Sequence, residues 1–535
     1  MADLRRLTTQ ARKGVELALR EVGQSRDMRA ARTLSRRMPS DNPSGKRVLF
    51  LTPRDWASHL HWESLIAHAL RLRGANVRFV TCGGGLELCD RVNTYEAPPP
   101  PCHTCAGYTR RALAAHDLRT SRLSDSWTGA EPWPELDALS FDELGEVVDE
   151  ESGVPLGRLA TIPLRWFLCT SDVKGEPLAP ITMRRFLRAG RAIARAVNRN
   201  LDEHEPAVLV MLNGLFLFEA IAAHLAEQRG IRVVSYERGF IHGTLVFVHG
   251  PAAPRYDMSA RWPAARERPL TAAEDERLDR YMEDRRHGRA ALHSYWPDPV
   301  FQSSAPRTDA RRVAVFTNLT WDTAVLGIEA IFPSMQDWLV SVVKHLASRK
   351  GVSVTIRVHP AEVRVPGWET REPVATFLAG HFSALPSNVS LIGPADPTSS
   401  YPLMAEADLG LVYSSTTGLE LALLGTPVAP GARPHYAGKG FTIDAAGPAD
   451  YLERIDATLA DPGTSGPDVE LARRYANLLF FEAGLPQPPA TEPLGGVARL
   501  DTTDPDDLRP GRSPALDVIC DGILEGRPFF LPGGA

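Results

Sequence analysis

The run YSSTTGLELALLGTPVAP (413–430) places four hydroxyls, Ser414, Ser415, Thr416 and Thr417, directly ahead of Gly418 and a helix-like stretch carrying one acid, Glu420. The apolar run before it, LGLVY, reads as a buried strand, so the hydroxyls fall at a strand-to-helix junction. Open α/β sheets bind ligands at such junctions, beyond the carboxyl ends of strands. Unpaired N–H groups and the positive end of the helix dipole favour an anion there. The hydroxyls add donors, and Gly418 lets the backbone approach a phosphate closely. Glu420, one turn into the helix, suits ribose hydroxyls better than phosphate. Plain helix capping, with Glu420 closing a capping box, is the competing use of the same residues.

A second signal lies one βα step earlier, where VSVTIRVHP ends in His359. A histidine at a strand end donates to a phosphate oxygen, or charges when the anion raises its pKa. Arg357, two residues back, is expected on the same face. Lys439 in HYAGKGFT is a further cation for a departing phosphate. Fixed donors of this kind supply electrostatic stabilisation without a divalent ion, so no metal is expected for the chemistry.

The acid–base residues are expected in the first half of the chain. VVSYERGFIHGTL follows a strand and offers Glu237, Arg238 and His242; TPRDWASHLHWESL follows the first strand and offers Asp55, His59, His61 and Glu63. A carboxylate or histidine at either strand end can take the proton of an acceptor hydroxyl. Arg238 can instead grip an anionic group in a bidentate way, or simply pair with a neighbouring acid. Asn213, before Gly214 in MLNGLFLFEA, sits at another strand end within reach of either substrate.

The elements that must position these residues alternate strand and helix, which favours parallel sheets with crossover helices. One series runs from KRVLFLT through NVRFVTC, AVLVML and IRVVSYE; a second runs from RRVAVFTN through VSVTIRV, NVSLIG, LGLVYSS and TPVAPG. The expected fold is therefore α/β, with two Rossmann-like doubly wound domains facing a cleft. The expected boundaries are a basic helical extension at 1–45, an N-terminal acceptor domain at 46–300, and a nucleotide-binding domain at 311–485. A Trp-, Pro- and acid-rich insertion is placed at 128–180, a connector near 262–310, and a Pro/Gly-rich tail at 486–535.

RVHP followed by YSSTTGLELALLGTPVAPGARPHYAGKGFT resembles the capsule-polysaccharide-synthesis glycosyltransferases, including bacterial Kdo transferases, and more distantly the bacterial sialyltransferases. The resemblance covers 353–442. It implies a GT-B-like fold whose C-terminal domain holds the donor nucleotide, with His359 on the donor phosphate, Ser415, Thr416 and Thr417 around it, and Glu420 on the ribose. It also implies a CMP-activated acidic sugar as one donor. Relatives carry an acidic pair before glycine where this chain reads Glu237-Arg238-Gly239-Phe240, so the general base is left open between Glu237, Asp55 and the histidines.

Four of six cysteines, Cys82, Cys89, Cys102 and Cys105, fall in a C-x6-C-x12-C-x2-C spacing. That matches the ligand count of a structural zinc or an iron–sulfur cluster, with four reduced thiols as the alternative. Cys169 and Cys520 stand alone.

At 535 residues with a net charge of −5 the chain suits two or three domains, and the acidic balance argues against a nucleic-acid partner. Without an N-terminal apolar run a cytoplasmic location is expected. The first 47 residues hold twelve Lys/Arg against five Asp/Glu, a composition for either a peripheral membrane contact or a solvated helix. The reading that joins these signals is a glycosyltransferase moving a sugar from a nucleotide-sugar to a glycan or natural-product acceptor. A polyol-phosphate transferase, a sugar-nucleotide 2-epimerase and a non-catalytic sugar-nucleotide-binding protein are its rivals.

Overall fold

The computed structural model describes residues 24–39, 44–96, 99–127, 132–290, 300–301, 310–323, 325–328, 331–365, 367–461, 466–494 and 497–532. Residues 1–23, half of the basic extension, lie outside them.

The first unit contains α1 (24–37), β1 (Arg47–Leu51), α2 (Ala57–Arg71), β2 (Asn76–Thr81), α3 (Cys102–Ala115) and β3 (Thr120–Arg122). It continues with α4 (Phe141–Gly145), α5 (Leu156–Leu168), α6 (Ala179–His204), β4 (Val208–Leu212), α7 (Leu217–Gln228), β5 (Arg232–Arg238) and β6 (Thr244–His249). Every residue of VLVML in β4 is buried, as a strand covered on both faces requires. Strands β5, β4, β1, β2 and β3 run parallel in that order, and β6 adds antiparallel to β5. The stretch 128–180, read from the sequence as an insertion and described from 132 onward, supplies α4 and α5. With the unanticipated helix α6 they cover one face of this sheet in a shared core.

Helices α8 (Trp262–Glu267) and α9 (Ala272–Arg286) follow, in the stretch expected as a plain connector. The second unit then runs β7 (Arg311–Phe316), α10 (Met335–Ala347), β8 (Val352–Arg357), α11 (Ala361–Arg364), α12 (Val374–His381) and β9 (Val389–Ile392). It ends with α13 (Ser400–Glu406), β10 (Leu409–Val412), α14 (Thr417–Leu423), β11 (Val428–Pro430) and α15 (Pro448–Ala460). Its sheet is all parallel in the order β11-β10-β7-β8-β9. Two doubly wound units are thus present, the GT-B-like arrangement expected.

The segment expected as a Pro/Gly-rich tail is built structure. After α16 (Val469–Asn477) and a π-helical turn at Leu478–Glu482, the chain returns to the first unit. There β12 (Leu485–Pro486) pairs antiparallel with β6 and extends the sheet. The hairpin β13 (Ala490–Leu494) and β14 (Val497–Leu500) and helix α17 (Pro514–Glu525) pack on α2. Their apolar side chains, including Leu500, Leu516, Ile519 and Phe529, belong to the first unit's core. This explains why α2 is buried nearly all round: sheet lies on one side and the returning segment on the other. Trp62 of α2 donates its indole N–H to the Ala490 carbonyl at 2.8 Å. Among the described residues no helix is long and apolar enough to cross a membrane.

Candidate functional site

Strand register assembles the site in the second unit. Phe316 of the central strand β7 pairs with Arg357 of β8 on one side and with Val412 of β10 on the other. The three strands therefore end level, and His359, Thr317–Asn318 and Ser414 follow them in one row. Side chains of the middle segment tie the outer two together: Thr317 Oγ1 accepts the His359 backbone N–H at 3.1 Å, and Asn318 Oδ1 accepts that of Ser414 at 3.3 Å. His359 and the hydroxyl turn thus stand at neighbouring strand ends, both half-buried. The His359 Nδ1 accepts the Ala361 N–H at 3.2 Å, which in the neutral ring leaves the proton on Nε2. Ser415 Oγ donates to Thr417 Oγ1 at 3.0 Å and accepts the Thr417 N–H at 3.3 Å, shaping the turn into α14. Thr416 precedes that helix without a side-chain cap. The Ser414 hydroxyl is buried and finds no hydrogen-bond partner among the described residues.

Three expectations for this half change. Arg357 is engaged elsewhere than on a phosphate: its guanidinium donates to the carbonyls of Gly393, Asp396 and Thr398 at 2.6, 3.0 and 3.0 Å. A loop folds over the strand end there, and the arginine pins it. Gly418 is small for packing rather than for phosphate approach, because a Cβ there would lie 2.2 Å from Tyr436 Oη. That tyrosine donates to the Ser415 carbonyl at 2.5 Å and braces the turn from behind. Glu420 is not a capping-box acid. Its two oxygens take Arg285 of α9 at 2.5 Å and the Tyr401 hydroxyl at 2.6 Å. Lys439 is half-buried, and its charge helps burial push His435 down to about 3.

In the first unit Glu237 is the penultimate residue of β5. Its carboxylate accepts Asn213 Nδ2 and the Arg238 N–H, each at 2.8 Å. Asn213 holds a left-handed φ of 59°, and Gly214 after it turns against Pro251. Burial raises the Glu237 pKa, and the charge of Asp322, in the loop after β7 of the second unit, raises it further. Tyr256, whose hydroxyl donates to the Arg238 carbonyl at 3.1 Å, feels both acids. Glu237 is thus within electrostatic reach of the loop that also carries Asn318. Arg255 fixes that loop by donating to the Thr323 carbonyl at 3.2 Å and to that of Leu326.

The remaining candidates scatter. Arg238 pairs with Glu492 of the returning hairpin at 2.6 Å and lies over the Trp62 ring. His59 Nδ1 stands 3.3 Å from the Tyr236 hydroxyl, which donates to Glu63 at 2.8 Å; burial and Arg238 hold the imidazole well below its ordinary pKa. His242 is exposed in the β5–β6 connection. His61 is a core residue: fully buried, 3.0 Å from His116, which in turn lies 3.3 Å from His68. Asp55 turns to Arg91 at 2.6 Å, beside the cysteines. Those four cysteines line one cavity, yet among the described residues no three His, Cys, Asp or Glu side chains group as ligands of a single ion.

The strand-end rule, applied to RRVAVFTN, would have found Thr317 and Asn318. Asp322, Tyr256 and Glu492 had no such signal, since each acquires its place through the contact of distant segments.

No protein-family model matches the chain, and no curated protein matches it. Solved structures do. KpsC of Thermosulfurimonas dismutans, a beta Kdo 2,7 transferase, is 19% identical over 53% of this chain and 80% of its own, with a TM-score of 0.33. The UDP-GlcNAc 2-epimerase of Neisseria meningitidis, bound to UDP-GlcNAc, is 11% identical over 80% and 94%, with a TM-score of 0.25. SnogD, a glycosyltransferase of Streptomyces nogalater, is 13% identical over 81% and 94%, with a TM-score of 0.21. Likeness at this level carries no argument about donor or acceptor.

Proposed function

We propose that the chain is a glycosyltransferase that moves a sugar from a nucleotide-sugar to a hydroxyl acceptor bound by the first unit. What supports this is the row of His359, Asn318 and the hydroxyl turn at level strand ends, with Glu237 within electrostatic reach of Asp322 in the loop that also carries Asn318. In this reading the donor phosphate lies on the turn, against the α14 amides, the orphan Ser414 hydroxyl and the His359 Nε2–H. Charge grows on that phosphate as the anomeric C–O bond breaks, and donors already in place stabilise it. Glu237, with its pKa raised, takes the acceptor proton as the acceptor oxygen attacks the anomeric carbon. A CMP-activated acidic sugar is the first donor to try, on the resemblance of the 353–442 segment.

Thermal shift with CMP-, UDP-, GDP- and dTDP-linked sugars identifies the base, since a donor that binds only the folded chain raises its melting point. Turnover with that donor should give a new glycosidic bond by mass spectrometry. His359→Ala should slow it by about 10²-fold or more, and Glu237→Gln by a similar factor with donor affinity kept. A phosphodiester product, or an epimerised donor formed without acceptor, would replace the assignment with one of its rivals.

A further inference from the structure

We infer that Cys82, Cys89, Cys102 and Cys105 hold a [4Fe–4S] cluster, in a cavity of the first unit separate from the proposed transfer site. The cavity measures about 420 Å³ and opens at the carboxyl edge of β1, β2 and β3, with all four cysteines in its wall. Each of the four is half-buried and none is in a disulfide.

The walls come from two directions. Cys82 and Cys89 sit on the loop that leaves β2, while Cys102 and Cys105 open helix α3. Gly83, Gly84 and Gly85 hold φ values of 81°, 93° and 95°, a left-handed run that bends the loop around the hole. A Cβ on Gly84 would come within 3.1 Å of the Cys102 Cβ, so only glycine lets the two walls close this far. Backbone N–H groups point at the sulfurs: Gly84 at Cys82 and Arg91 at Cys89, each at 3.4 Å, and Asp55 at Cys105. Such hydrogen bonds to sulfur are among the features that tune bound clusters. Arg110, Arg111 and Arg122 also line the cavity and offset the negative charge of a thiolate-ligated cluster.

The spread of the cysteines around the cavity separates a cluster from zinc. Four thiolates on one zinc must all lie about 2.3 Å from a single point. Among the described residues no such grouping exists, although the four cysteines surround one space. A cubane cluster places each cysteine on a different iron, so its ligands stand apart around a hole. Assembly replaces four thiol protons with iron. The inference concerns binding and does not include a redox step. Its structural consequence is local: the loop between the cysteine pairs carries Asn93 and Tyr95, which donate to the carbonyls of Gly367 and Glu369 in the second unit at 2.6 and 2.9 Å.

The test is the metal content of the full chain, purified without oxygen from iron-supplied cells and then reconstituted with equal amounts of ferrous and ferric iron and with sulfide. About four iron and four acid-labile sulfide per chain are expected, with broad visible absorption that fades in air. Zinc without sulfide, or a chain that takes up neither iron nor sulfide, would overturn the inference. Cys89→Ser and Cys102→Ser should lose most of the iron and sulfide, while Cys169→Ser and Cys520→Ser keep the wild-type content. Equal content in both sets would also overturn it. The wild-type measurement decides even if a ligand variant fails to fold.

Discussion

Glu63 is a carboxyl with no room for its charge. It is 1% exposed, with Thr52 and Tyr236 donating to its two oxygens, and burial pushes it up to about 8. In the unfolded chain the same group titrates near its ordinary value of about 4.3. The folded state therefore keeps a proton that the unfolded chain releases between those values. Its stabilising share is fully present below the unfolded value and fades as pH rises to about 8. Glu63→Gln should flatten that part of the stability profile, read as the urea midpoint across the window; an unchanged slope would show that Glu63 is not the group responsible. His61 works in the opposite sense. Burial lowers it to about 4, so its contribution is present above the unfolded value and is lost as pH falls. Two residues of one helix, both expected as acid–base candidates from their place after the first strand, thus belong to the interior and contribute to the pH dependence of stability.

At the scale of elements, Glu420 shows what local sequence conveys and what it does not. Its position one turn into α14 follows from the strand, hydroxyl and glycine pattern around it. Its partner Arg285 lies 135 positions away on α9, in a stretch where the sequence offered only charge and proline. The same holds for Arg238 and Glu492, 254 positions apart, and for the loop carbonyls that take Arg357. Short apolar runs place the strands because both of their faces are covered. They say nothing of which distant segment will cover their ends. All nine strands quoted from the sequence form, whereas β6, α6 and the returning 485–532 segment went unread, the last because its prolines and glycines mask a core-forming hairpin and helix. The pairing has a measurable consequence. Arg285 and Glu420 have side chains only 16% and 6% exposed, so removing one partner strands the other's charge in the interior. Glu420→Ala should cost about 3–5 kcal/mol, visible as a lower melting temperature before any donor is added. Equal stability of wild type and Glu420→Ala would show that the pair does not secure α9 to α14.

Across the whole molecule the chain leaves the first unit, builds the second, and comes back at Leu485 to complete the first sheet. The cleft between them is also tied by aromatic rings. Trp166 at the end of α5 has its ring centre 4.8 Å from Trp368 and 5.4 Å from Trp321 of the second unit, and 5.2 Å from Phe216 of the first. Trp321 is itself fixed by its indole N–H on Thr370 at 3.0 Å. Aromatic pairs of this kind contribute about 0.5–1.5 kcal/mol each beyond burial, enough to bias how closely two units stand. Trp321 is one residue from Asp322, so in the proposed reading the same contact bears on the spacing between Glu237 and the donor. Trp166→Ala should therefore leave donor affinity, a property of one unit, close to wild type, while transfer slows because donor and acceptor meet less often in reacting geometry. Small-angle scattering should show a larger radius of gyration for the variant. If dimensions and turnover both match wild type, the ring cluster is packing alone and the spacing of the two units is set by Arg255, Asn93 and Tyr95.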